Sequence, residues 1–136
     1  MESAGFREIA HTADWSVEVW APDYESLLRT AARAMFSLMN PVTRLEVDRQ
    51  KVIEIQAGDG ESLLILFLNE LLYFVESEQV LFECVDFDLE PDFRLKASLA
   101  GRSVLKLDKL IKAVTFHEVK ILPSPAGLTV KIVFDV

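Results

Sequence analysis

The sequence predicts an α+β fold in which two helices pack on a mainly antiparallel sheet. Two segments repeat apolar residues with helical spacing, and the other segments alternate apolar and polar residues as strands do. After about residue 80, strands follow one another with no helix between them, which favours antiparallel pairing. A chain of 136 residues is the usual size of one domain. We therefore expect a single domain over residues 1–136.

The two predicted helices have clear starts and one clear stop. The first runs from Tyr24 to Met39, with its apolar residues on one face. Asp23 is placed to cap its start, and Asn40-Pro41 ends it. The second helix runs from about Glu61 to Glu78 and carries a broader apolar stripe. Both helices are expected to bury one face against the sheet.

The junctions that lead into these helices form an internal repeat. Residues 17–28 (VEVWAPDYESLL) and 53–64 (IEIQAGDGESLL) are identical at seven of twelve positions. The simple alternative is that any strand-to-helix junction favours Asp, Glu and Leu. Seven matches without a gap exceed that bias. We therefore predict a duplicated strand–helix unit in which Asp23 and Asp59 are helix caps before they are anything catalytic.

Two hairpins are expected in the second half of the chain. Val85, Phe87 and Leu89 alternate before a turn at residues 90–92, and the alternation resumes at Phe93. The last hairpin joins a strand over about residues 113–122 to one over 128–134, across the turn-forming residues 123–127.

Charge and composition narrow the classes of function. The formal net charge of −8 argues against a protein that wraps nucleic acid by bulk electrostatics. The densest basic group comprises Arg102, Lys106, Lys109 and Lys112; it could contact a few phosphates, although a solvated loop is the simpler interpretation. The start of the sequence has no basic and apolar leader, and no apolar stretch is long enough to span a bilayer. With Cys84 as its one cysteine, the protein is expected to be cytoplasmic, with no membrane partner.

The sequence lacks phosphate-binding glycine loops and the common catalytic motifs. Few residues are therefore candidates for catalysis or metal binding. The candidates lie at strand ends. HTAD at residues 11–14 precedes a strand, although it could simply be a turn. KAVTFH at 112–117 begins another strand, where its lysine and histidine could be ordinary surface residues. Asp135-Val136 closes the sequence with a cluster of anionic oxygens, unless that end is frayed.

These segments together resemble the archease family over nearly the whole chain. The resemblance rests on the HTAD box, on the helix ESLLILFLNELLY at residues 61–73, on the KAVTFH box and on the final Asp-Val. No single box is specific, but their order and spacing are. Phe116 stands where the family usually has Tyr, so any role of that tyrosine's hydroxyl is not carried over.

The resemblance implies a divalent-cation site formed by Asp14, Asp135 and Val136. Calcium is the implied metal, with Mg²⁺ or Mn²⁺ as alternatives; calcium takes six to eight oxygen ligands, and water would complete the set. His11 and His117 are candidates for positions behind the ligands. Lys112 corresponds to the functional lysine of the family and can pair with the carboxylates or with a phosphate.

The resemblance also implies an activator and not an enzyme. It would promote the guanylylation and turnover of the GTP-dependent RNA ligase of tRNA splicing, and would meet RNA only through that ligase. One alternative is a stand-alone metal-dependent phosphohydrolase, which is disfavoured by few ligands and by the lack of a clear base other than His11. Another is a chaperone-like interaction domain without a metal. The oligomeric state does not follow from the sequence.

Overall fold

The computed structural model describes residues 3–9 and 15–136 and contains two helices and nine strands in those ranges. Their order is β1 (Gly5–Ile9), β2 (Trp15–Ala21), α1 (Tyr24–Met39), β3 (Val42–Thr43), β4 (Arg49–Gln56), α2 (Gly60–Glu78), β5 (Val80–Glu90), β6 (Arg94–Lys106), β7 (Ala113–Val114), β8 (Leu122–Ser124) and β9 (Gly127–Asp135). The predicted α+β class is confirmed. Neither helix in the described part of the chain is long and apolar enough to cross a membrane.

The strands form two sheets instead of the single sheet that the sequence suggested. β1, β2, β9 and β7 lie side by side in the first sheet, and β8 also pairs with β9. The second sheet contains β3, β6 and β4, and β5 also pairs with β6. Every pairing is antiparallel. The strand of the first repeat unit, β2, therefore belongs to a different sheet from the strand of the second, β4.

The buried apolar residues of both sheets and both helices form one hydrophobic cluster. Val17 and Val19 of β2 contribute to it from the first sheet, and Leu95 and Ala97 of β6 contribute from the second. Phe67 of α2 lies edge-on against Phe87 of β5, with ring centroids 5.5 Å apart. The helices thus tie the two sheets together through a common core.

The duplicated junctions fold in the same way. The carboxylate of Asp23 accepts a hydrogen bond from the Ser26 N–H at 2.8 Å, and that of Asp59 accepts one from the Ser62 N–H at 2.7 Å. Both aspartates have extended backbones, as N-cap residues do. These hydrogen bonds lower the pKa of both carboxyl groups. The assignment of both residues as caps is confirmed.

The first predicted hairpin is confirmed, but the second differs from its prediction. β5 and β6 form the first hairpin, with Glu90 opposite Arg94. The strand expected over residues 113–122 is reduced to the two short strands β7 and β8. Glu118 has a φ of 51°, a conformation that breaks an extended strand. The chain then crosses the start of α2, where the Glu61 carboxylate accepts a hydrogen bond from the Ile121 N–H at 3.0 Å.

Candidate functional site

The end of β9 brings together residues from two of the predicted functional segments. Phe134 lies between Trp15, the first residue of β2, and Val114 of β7. One residue further along, Asp135 pairs with Ala113, and its carbonyl accepts a hydrogen bond from the Lys112 N–H at 2.8 Å. The KAVTFH box and the final Asp-Val therefore meet at the rim of the first sheet, where β2 also begins.

The pattern of burial changes sharply at this rim. Phe134 is buried in the core, whereas Asp135 is exposed and Val136 is 40% exposed. The apolar strand anchors the end of the chain in the core and presents the polar end to solvent. Asp135, the last residue of β9, and Val136, which follows it, are therefore exposed next to an anchored strand.

Asn69 of α2 fixes the position of β7. Its side-chain oxygen accepts a hydrogen bond from the Val114 N–H at 2.9 Å, and its amide nitrogen donates one to the Val114 carbonyl at 2.9 Å. The same amide also donates to the Ile65 carbonyl within the helix at 3.1 Å. Asn69 thus bonds to β7 as a neighbouring strand would. Sequence reasoning missed this role, although a polar residue inside an apolar helix stripe was a signal.

The segment before Lys112 is also anchored. The Asp108 and Lys109 N–H groups both donate to the Met39 carbonyl at the end of α1, at 3.1 and 3.4 Å. The ammonium of Lys109 lies 4.1 Å from the ring centroid of Trp15, a cation–π contact at the start of β2. The basic group is not a single solvated loop, because Arg102 and Lys106 belong to β6.

The predicted site residues have different outcomes. His11 and Asp14 lie outside the described residues. Lys112, Asp135 and Val136 are brought together, but Lys112 and Asp135 meet through their backbones and form no ion pair among the described residues. His117 is exposed, and its Nε2 lies 3.9 Å from the carboxylate of its neighbour Glu118. Its assignment to a position behind the ligands stays a prediction.

The donor atoms of this rim suit a hard cation. Asp135 offers a carboxylate and Val136 offers main-chain oxygen, which are ligand types that calcium and magnesium prefer. Within residues 3–9 and 15–136, no group of three or more His, Cys, Asp or Glu side chains could hold a metal ion. The described residues therefore supply only part of a coordination sphere. Asp14 immediately precedes Trp15 in the sequence and is the predicted third contributor.

Cys84 is unsuited to nucleophilic catalysis. Its thiol contacts the Asp86 carbonyl at 3.3 Å, and burial raises the pKa of the thiol to about 11. At neutral pH the group is therefore a thiol, and the reactive thiolate is scarce. This agrees with the structural role that its apolar sequence context suggested.

The chain matches a model of the archease protein family over residues 6–136. Protein archease of Pyrococcus abyssi is 32% identical over 129 residues, which cover 86% of this chain and 87% of the relative. Protein archease of Archaeoglobus fulgidus is 29% identical, with coverage of 96% and 98%.

Two solved structures share the fold. Protein 1598 of Methanobacterium thermoautotrophicum has a TM-score of 0.72 and 29% identity, covering 97% of this chain and 99% of that protein. A Thermotoga maritima protein, described as an archease and possible chaperone, has a TM-score of 0.68 and 25% identity, covering 96% of each chain.

Proposed function

We propose that this chain, which belongs to the archease protein family, is a metal-binding accessory protein that activates a GTP-dependent RNA ligase of tRNA splicing. It would do so by promoting guanylylation and turnover of the ligase. The observation that carries the proposal is the meeting of Lys112 with Asp135 at the rim of the first sheet. It agrees with the expectation, from the family resemblance, that Lys112 lies near the carboxylates of the site.

The proposed metal ligands are Asp14, Asp135 and Val136, with Ca²⁺ as the first candidate and Mg²⁺ or Mn²⁺ as alternatives. A divalent cation would supply a fixed positive charge able to attract phosphate oxygens. β9 supports the site because its buried Phe134 holds the following two residues in place. Ala113 opposite Asp135 leaves the rim uncrowded by a large side chain.

Lys112 is the residue proposed to act on the partner. Its backbone is fixed by the hydrogen bond to Asp135, whereas its side chain is exposed. A flexible ammonium group on an exposed side chain can reach a phosphate of a nucleotide held by another protein. The net charge of −8 supports contact with RNA only through the ligase. The proposal assigns no catalytic residue to this chain and places it in the cytoplasm.

The test is turnover of the purified ligase with and without this protein. Lys112→Ala removes a cation but no proposed ligand, so the metal should still bind while ligase activation collapses. Asp14→Ala and Asp135→Ala should each abolish metal binding in calorimetry. Asp135 is exposed, so its loss should leave the fold intact, and we expect the same of Asp14→Ala. Lys131→Ala is the matched control for the lysine, because Lys131 is exposed in the middle of β9, outside the proposed site.

Two outcomes would overturn these assignments. Normal ligase activation by the Lys112→Ala variant would leave this lysine as a surface charge. Wild-type metal affinity in Asp135→Ala would remove that residue from the site. Asp88→Ala, which removes an exposed carboxylate from β5, controls for the change in net charge.

A chaperone-like function is a second candidate because the Thermotoga maritima relative is described as a possible chaperone. The two functions differ in their dependence on Lys112. A chaperone should suppress the aggregation of an unrelated unfolded protein without the ligase, and Lys112→Ala should not change that activity. Incubating the protein alone with GTP and a divalent cation tests the remaining alternative, since hydrolysis would indicate a phosphohydrolase.

A further inference from the structure

A groove of about 320 Å³ lies between α1 and the β5–β6 hairpin, away from the rim that carries Lys112. Arg29 and Arg33 face it from α1, one helical turn apart, with Phe36 a further turn along the same side. Arg102 of β6 faces it from the second sheet. Three arginines therefore converge on one concavity in a chain whose net charge is −8.

The groove keeps a positive balance after its own anion is counted. The carboxylate of Glu83 lies 3.8 Å from the guanidinium of Arg102, but the Glu83 side chain is 61% exposed and neutralises at most one of the three cations. Cys84 in the wall is a neutral thiol at neutral pH. Glu25 and Asp86 lie close enough to act on the thiol but do not line the groove.

The arginines of the groove have donors without acceptors. The Nε of Arg102 is buried and has no hydrogen-bond partner among the described residues. The Arg102 side chain as a whole is 38% exposed, so its accessible atoms, and not Nε, are the ones that a ligand in the groove can contact. Arg29 stacks on Phe87, with its guanidinium 4.8 Å from the ring centroid. In the part of the chain that the structure describes, neither Arg29 nor Arg33 forms an ion pair.

The internal repeat shows what is unusual about this helix face. Equivalent positions in the two units are 36 residues apart, as Tyr24 and Gly60 are. Arg33 therefore corresponds to Asn69. In the second unit that position is covered by β7, which Asn69 binds. In the first unit the same position holds Arg33, whose cationic side chain lines the groove.

We propose that this groove binds a small organic phosphate of about mononucleotide size, whose phosphate is held by Arg29, Arg33 and Arg102. Guanidinium groups match phosphate oxygens in geometry and charge. Apolar atoms of Phe36 and Leu81 in the walls can pack against the rest of the molecule. The volume lies at the lower end of the range of ligand cavities, which fits a nucleoside monophosphate. The proposal does not depend on the ligase, because the groove shares no residue with the proposed metal site.

The test uses Cys84 as a reporter, because it lines the groove and is the single cysteine of the chain. Its alkylation by iodoacetamide is followed at alkaline pH, where a larger fraction of the thiol is present as the reactive thiolate. A nucleoside monophosphate should slow the alkylation and should bind in calorimetry. Inorganic phosphate should bind more weakly, and the unphosphorylated nucleoside should give neither effect.

Matched variants locate the binding. Arg33→Gln should lower the affinity for the nucleoside monophosphate by about tenfold, which is the loss expected for one charge-assisted contact. Arg94→Gln removes the same charge from an exposed residue of β6 outside the groove. It should leave the affinity within about twofold of the wild-type value. The proposal is overturned if the nucleotide does not protect Cys84, if Arg33→Gln binds as tightly as the wild type, or if both variants lose affinity equally.

Discussion

The two strand–helix units begin alike and then acquire different surroundings. Both helices start at an aspartate cap with nearly the same hydrogen-bond length, 2.8 Å in α1 and 2.7 Å in α2. Further along, position 33 in the first unit is an exposed arginine, whereas position 69 in the second is an asparagine bonded to β7. The short motif fixes how each helix starts. The later residues decide what covers the helix.

This difference connects the second unit to the proposed functional site. β7 is only two residues long, and such a short strand has little stability of its own. β9 binds it on one side and Asn69 on the other. Because Lys112 immediately precedes β7, a helix residue contributes to the position of the proposed functional lysine.

The largest effect is expected from Asn69→Ala. It leaves the Val114 N–H and carbonyl without their side-chain partners, at a cost of about 3 kcal/mol in the free energy of unfolding. The better helix propensity of Ala offsets about 0.5 kcal/mol of that loss. Chemical denaturation measures the change, and ligase activation should fall with it if β7 positions Lys112.

Arg33→Ala is the control for Asn69→Ala at the equivalent position. Arg33 is exposed, so its replacement should change the free energy of unfolding by no more than about 0.5 kcal/mol. Equal destabilisation by the two substitutions would show that Asn69 does not hold β7 in the way described.

The intermediate effect concerns the contact between the two units. The Tyr24 hydroxyl donates a hydrogen bond to the Gly60 carbonyl at 2.8 Å. Tyr24→Phe should therefore lower the free energy of unfolding by about 1 kcal/mol near neutral pH. Tyr73→Phe is the control, because Tyr73 is 59% exposed and its loss of a hydroxyl should have little effect.

The loss in the free energy of unfolding caused by Tyr24→Phe should become smaller at alkaline pH. Burial, and then the nearby Glu61 and Asp59 carboxylates, raise the pKa of Tyr24 in the folded protein above the unfolded value of about 10. The unfolded wild type thus loses its proton first, and stability present below about pH 10 is lost as the pH rises further. A constant deficit across pH 8–11 in denaturation experiments would contradict this linkage.

The sequence predicted the elements that depend on local rules. The bounds of α1, the two caps and the β5–β6 hairpin follow from apolar spacing, side-chain capping and a turn. The division into two sheets was not predictable in this way, because alternation within a strand does not specify its neighbour. The strand predicted over 113–122 was wrong for a related reason. Val114 is buried, whereas Phe116 and Leu122 are more than half exposed, and alternation alone does not reveal the break near Glu118.

The candidate site was predictable only in part. Lys112, Asp135 and Val136 were found from the resemblance, and their proximity depends on long-range pairing that no local pattern shows. Asn69 was missed because an asparagine in an apolar helix looks like an interruption until its partner is known. The groove was missed because Arg102 was grouped with Lys106, Lys109 and Lys112. It shares a groove with Arg29 of α1 only when that helix packs beside β5, the neighbour of β6.

The smallest effect should come from the caps, and it should be the same in both units. Asp23→Ala and Asp59→Ala each remove the acceptor of one helix-start N–H, and each should lower the melting temperature by a few degrees, on the order of 4 °C. Because the pKa of each cap is lowered in the folded protein, its contribution is present above the unfolded value of about 4 and is lost as the pH falls through the folded value. Asp→Asn at either position keeps a capping oxygen, so it should lower the melting temperature less than Ala does. The melting temperature of the Asn variant should also change less at acid pH. Thermal melts at neutral and acid pH measure both effects. A clear difference between the two Ala variants would show that the duplicated junctions no longer contribute equally, despite their matching geometry.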